Sequence, residues 1–591
     1  MNLELQHARS RLMFVFLLVC IGMAGLLARL YYWQVLQANQ LSQLANDEHI
    51  QNQIVNAPRG LIYDSQGHIL ATNVVRDDVY IEPIQFFVDH PDDSDAALAG
   101  LVHTLHEVLP TLAEDRLSRD FKSGLQTLRI AGPIDPAQSA RLRELHLPDI
   151  FLEPRTWRIY PGGDLAAQVL GFVQNGTTGV YGIEGAENQL LAGKPGTLTA
   201  ETDLNGNPLT VGPSSAQPAV NGASLTLTID STIQYIAQSA LADTVRQLKA
   251  QGGTVVVLNA RTGAVVAMAG MPTFDPNHYS SYYKQMGCLG SESVYFNPAL
   301  MCAYEPGSMM KSVTMAAALD QGLITPDTAF DDPGIIAFKD GTPPVTNWDN
   351  LGYGHETMTQ VLEHSANVGA AYVAHDILGP GRYYPYLRRF GFGQLTGIND
   401  GPEEPGTYRT PGSPGWTPSD LTRQAFGQSI LATPLQVAIA YQAIANGGVM
   451  MRPYLIAAIN NNGQITTTKP QVERRVISAR AATLLTQMLV SAANYNQNAT
   501  FPGYSIAVKT GTATTQGISA YLTEASMAGF LPASHPRFVI LVKLDRPQAH
   551  GDIFGGVAAG PLWRTIAQQL MWHYGIAPDQ QSSTQSRDMG R

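Results

Sequence analysis

Three short stretches carry side chains that together could perform acyl transfer through a covalent intermediate. In Glu305-Pro-Gly-Ser308-Met-Met-Lys311 a serine precedes a lysine by three residues, so on a helix the two share one face. A serine hydroxyl attacks a carbonyl only when a base takes its proton, and a lysine amine can be that base when burial or neighbouring positive charge keeps it neutral. Ser365-Ala366-Asn367 is the only S-x-N triplet in the chain, and it offers a hydroxyl and an amide to such a proton-transfer site. Lys509-Thr510-Gly511-Thr512 holds the only K-T-G, a cation followed by hydroxyls. Each pattern alone is weak. Average serine and lysine usage places about two or three S-x-x-K tetrads in a chain of this length, and a second one, Ser281-Tyr-Tyr-Lys284, is present.

The surroundings separate the two tetrads. Pro306-Gly307 is a break, and KSVTMAAALDQG after Ser308 reads as a helix ending at Gly322, which puts Ser308 at a helix N-terminus with Lys311 one turn on. There the positive end of the helix dipole and unpaired backbone N–H groups favour an alkoxide. Ser281 lies in an aromatic, Gly-bounded loop with no helix behind it. Ser365 and Asn367 fall inside TMTQVLEHSANVGAAYVA, where the bland reading is a polar interruption of a helix. Lys509 follows the strand-like YSIAV; a lysine on an edge strand commonly guards against aggregation, but Gly511 beside it would let backbone approach a ligand closely.

Other elements must bring together stretches that lie 57 and then 144 residues apart. SLTLTID near 224–230 alternates like a strand and gives way to a helical pattern; GGTVVVLN, a turn at Ala260 to Gly263 and AVVAMAG form an apolar hairpin suited to a buried sheet. Further strands are expected at 504–508, 525–531 and 537–545, with helices between 308 and 450 and again at 561–573. Strands at both ends of a helical middle predict an α+β domain. Upstream, Ala45 to Val55 reads as a helical, polar stalk, and APRGLIYDSQGHILATN at 57–73 as a hairpin turning at Asp64 to Gly67. Residues 45–220 assemble no nucleophile, base and oxyanion donors and read as a structural and interaction module.

Charged residues are 14% of the chain against about 25% in average proteins, and hydrophobic ones 44%, which excludes a disordered polyelectrolyte. Net charge is −11 with no long basic run, which argues against nucleic acid as a partner. The 14 histidines show no H-E-x-x-H or related spacing, so no metal is expected. Leu12 to Ala28 carries no charge, and the apolar character continues past Arg29 to Leu36. A helix over those positions spans about 37 Å, enough to cross a hydrocarbon core of about 30 Å with tilt. Arg9 and Arg11 ahead of it place the N-terminus in the cytoplasm by the positive-inside rule. No A-x-A-like cleavage site follows, so the span is expected to be retained, with Tyr31, Tyr32 and Trp33 at the far interface. Of three cysteines, Cys288 and Cys302 then lie outside, where a disulfide and two unpaired buried thiols both satisfy the sequence.

The three motifs, in this order, form the signature of serine enzymes that react with penicillin. With the anchor, PRGLIYDSQGHILA, GIEGAENQLLAGKPG, AFGQSILATPLQVAIAYQAIANGG and FGGVAAGP, the chain resembles the class B penicillin-binding proteins over nearly its whole length, and the septal, cell-division branch most. The resemblance implies a serine β-lactamase/transpeptidase-like catalytic domain, an antiparallel sheet flanked by helices, carried on a membrane helix and an elongated pedestal. The implied division is a cytoplasmic stretch 1–11, an anchor 12–36, a pedestal of dimerisation type 37–222, a transpeptidase domain 223–577 and a disordered tail 578–591. It implies a membrane-anchored enzyme facing out of the cytoplasm that cross-links peptidoglycan stem peptides, releases D-alanine and is acylated by β-lactams. Ser308 would be the nucleophile, Lys311 its base, Ser365 the proton carrier and Asn367 the group that orients Lys311. Lys509 would supply positive charge and, with Thr510, Gly511 and Thr512, hold the substrate carboxylate; the N–H groups of Ser308 and Thr512 would face the oxyanion. No cofactor is implied. Implied partners are a polytopic lipid II glycan polymerase and other division-site membrane proteins. Glu305, Glu363 and His364 read as structural. A tethered β-lactamase or D,D-carboxypeptidase, and a catalytically silent division scaffold, are the competing readings.

Overall fold

The architecture is a computed structural model that describes residues 2–41, 50–201, 214–514, 523–548 and 554–580. It forms two compact units. The smaller comprises Met1–Pro58 and Gly193–Gly222. Its helix Asn2–Tyr31 continues through a π-helical turn, Tyr32–Leu36. Among the described residues, Arg9–Leu36 is the one helical stretch long and apolar enough to cross a membrane, with a mean hydropathy of 2.3 and none of it buried. The same unit holds an antiparallel sheet of Ile50–Val55, Gly196–Glu201 and Ser214–Gln217. The expected stalk helix at 45–55 is therefore corrected over its second half: Ile50–Val55 is a strand, and residues 42–49 lie outside the described residues. Local pattern cannot report a partner strand that arrives about 145 residues later in the chain. Of the expected tail, 581–591 also lie outside the described residues.

The larger unit comprises Arg59–Ala192 and Ala223–Arg591. The expected hairpin at 57–73 forms: Ile62–Tyr63 pairs with the long strand Ile69–Ile81. It joins a seven-stranded sheet whose other members include Ser224–Leu227 and Ile456–Asn461, so segments far apart in the chain share one hydrogen-bonded layer. Two buried charge clusters secure it. Asp64 accepts hydrogen bonds from the backbone of Gln66 and His68 and from the hydroxyl of Ser231, which fastens the hairpin to the first residue of the helix Ser231–Gln247. Glu184, in the GIEGAENQ stretch, takes Nε of Arg59 on one oxygen and Nε of Arg158 on the other, each at 2.6 Å, and all three side chains are at least nine-tenths buried.

The site is built on a five-stranded antiparallel sheet in the order Val265–Met271, Gly252–Asn259, Phe538–Asp545, Thr523–Leu531, Ala507–Thr514. Alternate residues serve two cores, which is why the strands read as unbroken apolar runs. Val256, Leu258, Phe530 and Leu541 pack with Val313 and Ala316 of the helix Met310–Asp320. Val255, Val257, Met527 and Val542 pack with Trp563, Ile566 and Leu570 of the C-terminal helix. Two boundaries moved. The strand expected at 504–508 runs Ala507–Thr514, because backbone pairing with Thr523–Leu531 continues through Thr-Gly-Thr, where apolar periodicity has stopped. The helix expected from 561 begins at Gly555, with Pro561 in its interior; a Cβ on Gly555 would lie 2.2 Å from the carbonyl oxygen of Gly511, so glycine here serves close packing on the strand.

Removing the shared anion of the Arg59–Glu184–Arg158 cluster leaves two buried guanidinium groups unpaired. Glu184→Ala is expected to destabilise the protein by about 3–5 kcal/mol, measured by denaturant unfolding of the larger unit's transition; a loss below about 1 kcal/mol would show the cluster to be solvent-like.

Candidate active site

Ser308 lies in the 3-10 turn Gly307–Met309, which runs directly into the helix Met310–Asp320. It is half-buried, and Lys311 one turn on is fully buried. The turn is held from behind: the hydroxyl of Tyr441 donates to the carbonyl of Met309 and hydrogen-bonds Ser312 at 2.9 Å. Gly307 takes φ +58°, and a Cβ on it would lie 2.7 Å from the carbonyl oxygen and 3.0 Å from the nitrogen of Thr512. The backbones of the serine turn and the Lys509 strand therefore meet at a distance only glycine permits. Gly511 faces Pro306 in the same way, at 2.5 Å for its would-be Cβ.

The S-x-N triplet is a break between two helices, Met358–Glu363 and Asn367–Tyr372, rather than an interior polar patch. Ser365 takes φ +56°, in the left-handed region, which turns its carbonyl inward. The Lys311 amine donates to that carbonyl, to Oδ1 of Asn367 at 2.8 Å and to Oγ of Ser365 at 3.2 Å. Lys509, 2% exposed on the edge strand, reaches the same Ser365 hydroxyl at 2.9 Å. Thr510 lies beside it, with its hydroxyl 3.5 Å from the Lys509 amine, and the Thr512 hydroxyl accepts the backbone N–H of Gly555 at 2.9 Å. Of the eight residues singled out in the sequence, Lys311, Ser365, Asn367 and Lys509 share one hydrogen-bonded cluster. Ser308 is one helical turn away, and Thr510, Gly511 and Thr512 line the adjoining strand.

Burial drives the chemistry of this cluster. Loss of solvation, reinforced by the Lys509 charge, holds the Lys311 amine well below the ordinary lysine range, with the Glu356 carboxylate opposing. Loss of solvation lowers Lys509 to about 7. One hydroxyl thus stands between two amines that cannot both stay charged out of water. With Lys311 neutral, a base with a free lone pair sits a turn from Ser308, and the Ser365 hydroxyl links it to a second, protonatable amine. Ser281 and Lys284, by contrast, are both exposed, and the Lys284 amine lies over the ring of Tyr283.

Glu305 accepts the backbone N–H of Ser429, and Glu363, at the end of its helix, accepts the hydroxyl of Ser491 in the helix Ala479–Asn496. Cys288 and Cys302 are joined in a disulfide, with Cα atoms 5.3 Å apart, that closes the loop ending six residues before Ser308. Among the described residues no three His, Cys, Asp or Glu side chains converge to hold a metal ion. Sequence reasoning missed Tyr441, Glu356 and Gly427, whose carbonyl accepts the N–H of Gly307. Nothing local marks them; only the fold brings them here.

Residues 253–570 match the family described as the penicillin binding protein transpeptidase domain, and residues 54–227 the penicillin-binding protein dimerisation domain. The chain is 34% identical to penicillin-binding protein PbpB of Mycobacterium tuberculosis, across 75% of this chain and 65% of that protein. It is 28% identical to peptidoglycan D,D-transpeptidase FtsI of Escherichia coli, across 95% of this chain and 91% of that one. Among solved structures it is similar to penicillin binding protein 3 of Mycobacterium tuberculosis complexed with aztreonam, at a TM-score of 0.66 and 27% identity, covering 89% of this chain and 98% of the other.

Two expectations follow from the geometry. Gly307→Ala forces the serine turn off Thr512 and should reduce covalent labelling of Ser308 at least about 100-fold in a protein that still unfolds cooperatively; labelling within threefold of wild type would refute the seam. Lys509, with a folded value near 7 against an ordinary 10.5, binds fewer protons folded than unfolded between those values, so its contribution to stability rises with pH across that window. Lys509→Met should therefore raise the melting temperature at pH 7, with the advantage shrinking towards pH 10; a constant difference would contradict burial of the amine.

Proposed function

The chain belongs to the penicillin-binding protein transpeptidase family, and from that premise we propose that it is a septal peptidoglycan D,D-transpeptidase acting through an acyl-enzyme on Ser308. One observation carries the reading: a fully buried lysine amine held by Ser365 and Asn367, one turn from a serine at a helix start. Ser308 gives its proton to neutral Lys311 as its oxygen attacks the carbonyl of the penultimate D-alanine. The oxyanion lies between the N–H groups of Ser308 and Thr512, an interaction worth about 3–4 kcal/mol per donor in comparable enzymes. The C–N bond then breaks, and Ser365 passes the proton from Lys311 to the departing D-alanine amine. An amine of a neighbouring stem peptide attacks the ester, gives up a proton to the same network and frees Ser308. Protonated Lys509, with Thr510 and Thr512, holds the terminal carboxylate, and that anion in turn favours the charged amine. β-Lactams enter by the same attack on their ring amide and stay attached as esters.

The apolar helix Arg9–Leu36 serves as a single-pass anchor, with Arg9 and Arg11 on the cytoplasmic side and the catalytic domain outside. Residues 37–222 act as the pedestal and residues 223–577 as the catalytic domain, and a polytopic lipid II glycan polymerase and other division-site membrane proteins are the partners. That placement agrees with the disulfide, a bond at home in an oxidising compartment.

A labelled-penicillin chase tests the chemistry. The expected result is one equivalent of label on Ser308, stable over minutes and absent in Ser308→Ala; release of penicilloate within seconds would instead identify a hydrolase. Ser308→Ala should also fail to restore septation in cells depleted of the protein. Full complementation by it would mark a scaffold.

A further inference from the structure

The hairpin ahead of Ser365 keeps two acids out of water where a surface excursion needs none. Its strands Ala329–Asp332 and Gly354–Thr357 pair with Phe330 opposite Glu356, so Asp332 and Glu356 project from the same face. Both are buried, at 2% and 1% exposure. Desolvation and the neighbouring Asp332 raise the Glu356 carboxyl to about 7, the sign of a costly placement, and its Oε1 has no hydrogen-bond partner among the described residues.

Each acid reaches one side of the Ser365–Asn367 corner. Asp332 accepts from Nδ2 of Asn347 at 2.8 Å, and Oδ1 of Asn347 accepts the backbone N–H of Val368, just after Asn367, at 3.0 Å. Glu356 lies 2.9 Å from Nδ1 of His364, just before Ser365. The His364 ring stacks on Tyr353 with centroids 4.4 Å apart, and its carbonyl accepts the indole N–H of Trp348 at 3.2 Å. Ser365 between these two attachments is the residue in the left-handed region, whose carbonyl and hydroxyl both meet Lys311. A non-glycine residue in that conformation needs its surroundings to hold it there.

We propose that Asp332 and Glu356 are positioning residues which, through Asn347 and His364, clamp both sides of the Ser365–Asn367 corner and aim it at Lys311. The proposal rests on the acylation of Ser308 described above. Neither acid touches substrate; each acts through the amide or imidazole it holds, and His364 is required as a hydrogen-bond donor rather than as a charge.

Stopped-flow acylation by a fluorescent penicillin separates the parts, because it yields the dissociation constant of the initial complex, the rate constant of the covalent step and the labelled fraction. His364→Ala and Glu356→Leu should slow the covalent step about 10- to 100-fold, leaving the dissociation constant and the labelled fraction unchanged. His364→Asn, whose amide nitrogen stands where Nδ1 does, and Glu356→Gln, which keeps the acceptor, should recover to within about threefold of wild type. Deletion variants that acylate at the wild-type rate, rescue variants as slow as the deletions, or a loss confined to the labelled fraction would each overturn the clamp. Wild-type protein that takes up no label would overturn the functional reading itself and the clamp with it.

Discussion

Everything in the larger unit answers to one demand: two lysine amines must sit around a single serine hydroxyl with water excluded. An ammonium ion pays heavily for leaving water, so a fold that buries Lys311 completely must give its nitrogen hydrogen-bond partners without giving it a full counter-ion. The carbonyl of Ser365 and the amide of Asn367 do this. They solvate the amine by dipoles, which satisfies its N–H groups yet leaves the neutral form favoured. A carboxylate in direct contact would have done the opposite and fixed the proton in place. Glu356 is near enough to oppose the lowering of Lys311, but its hydrogen bond goes to His364.

The second constraint is steric. The serine turn and the edge strand approach so closely that Gly307, Gly511, Gly427 and Gly555 all face backbone where a Cβ would collide. This seam sets the backbone of Gly307 directly against that of Thr512, and the backbone of Gly511 against that of Pro306. Among the described residues Ala507–Thr514 pairs with a strand on one side only, and it is the strand against which the serine turn packs.

How much of this was legible in the sequence follows from the range of each signal. The hairpin at 252–271, the serine helix and the strand Phe538–Asp545 were readable because burial on both faces writes long apolar runs into the chain. The three motifs were readable as types and order. The left-handed turn at Ser365 was not, since serine carries no bias towards it and TMTQVLEHSANVGAAYVA looks like one continuous helix. Nor were Tyr441, Gly427 and Glu356, which reach the site from separate segments. Ile50–Val55 misled for a related reason: a strand whose partners are distant looks like whatever its local propensities suggest.

The seven-stranded sheet sets an order of events for a chain that emerges from its N-terminus. Ile62–Tyr63 lies against Ser224–Leu227 and, through it, against Ile456–Asn461, so this layer cannot close until nearly four hundred further residues have been delivered. Until then the outer edge of Ser224–Leu227 is an open template for other chains. Slow closure of that kind is aggregation-exposed, and it makes the two halves of the layer inseparable in any dissection of the protein: cutting between Ala192 and Ala223 would leave two fragments, each displaying an unpaired strand to the other and to its neighbours.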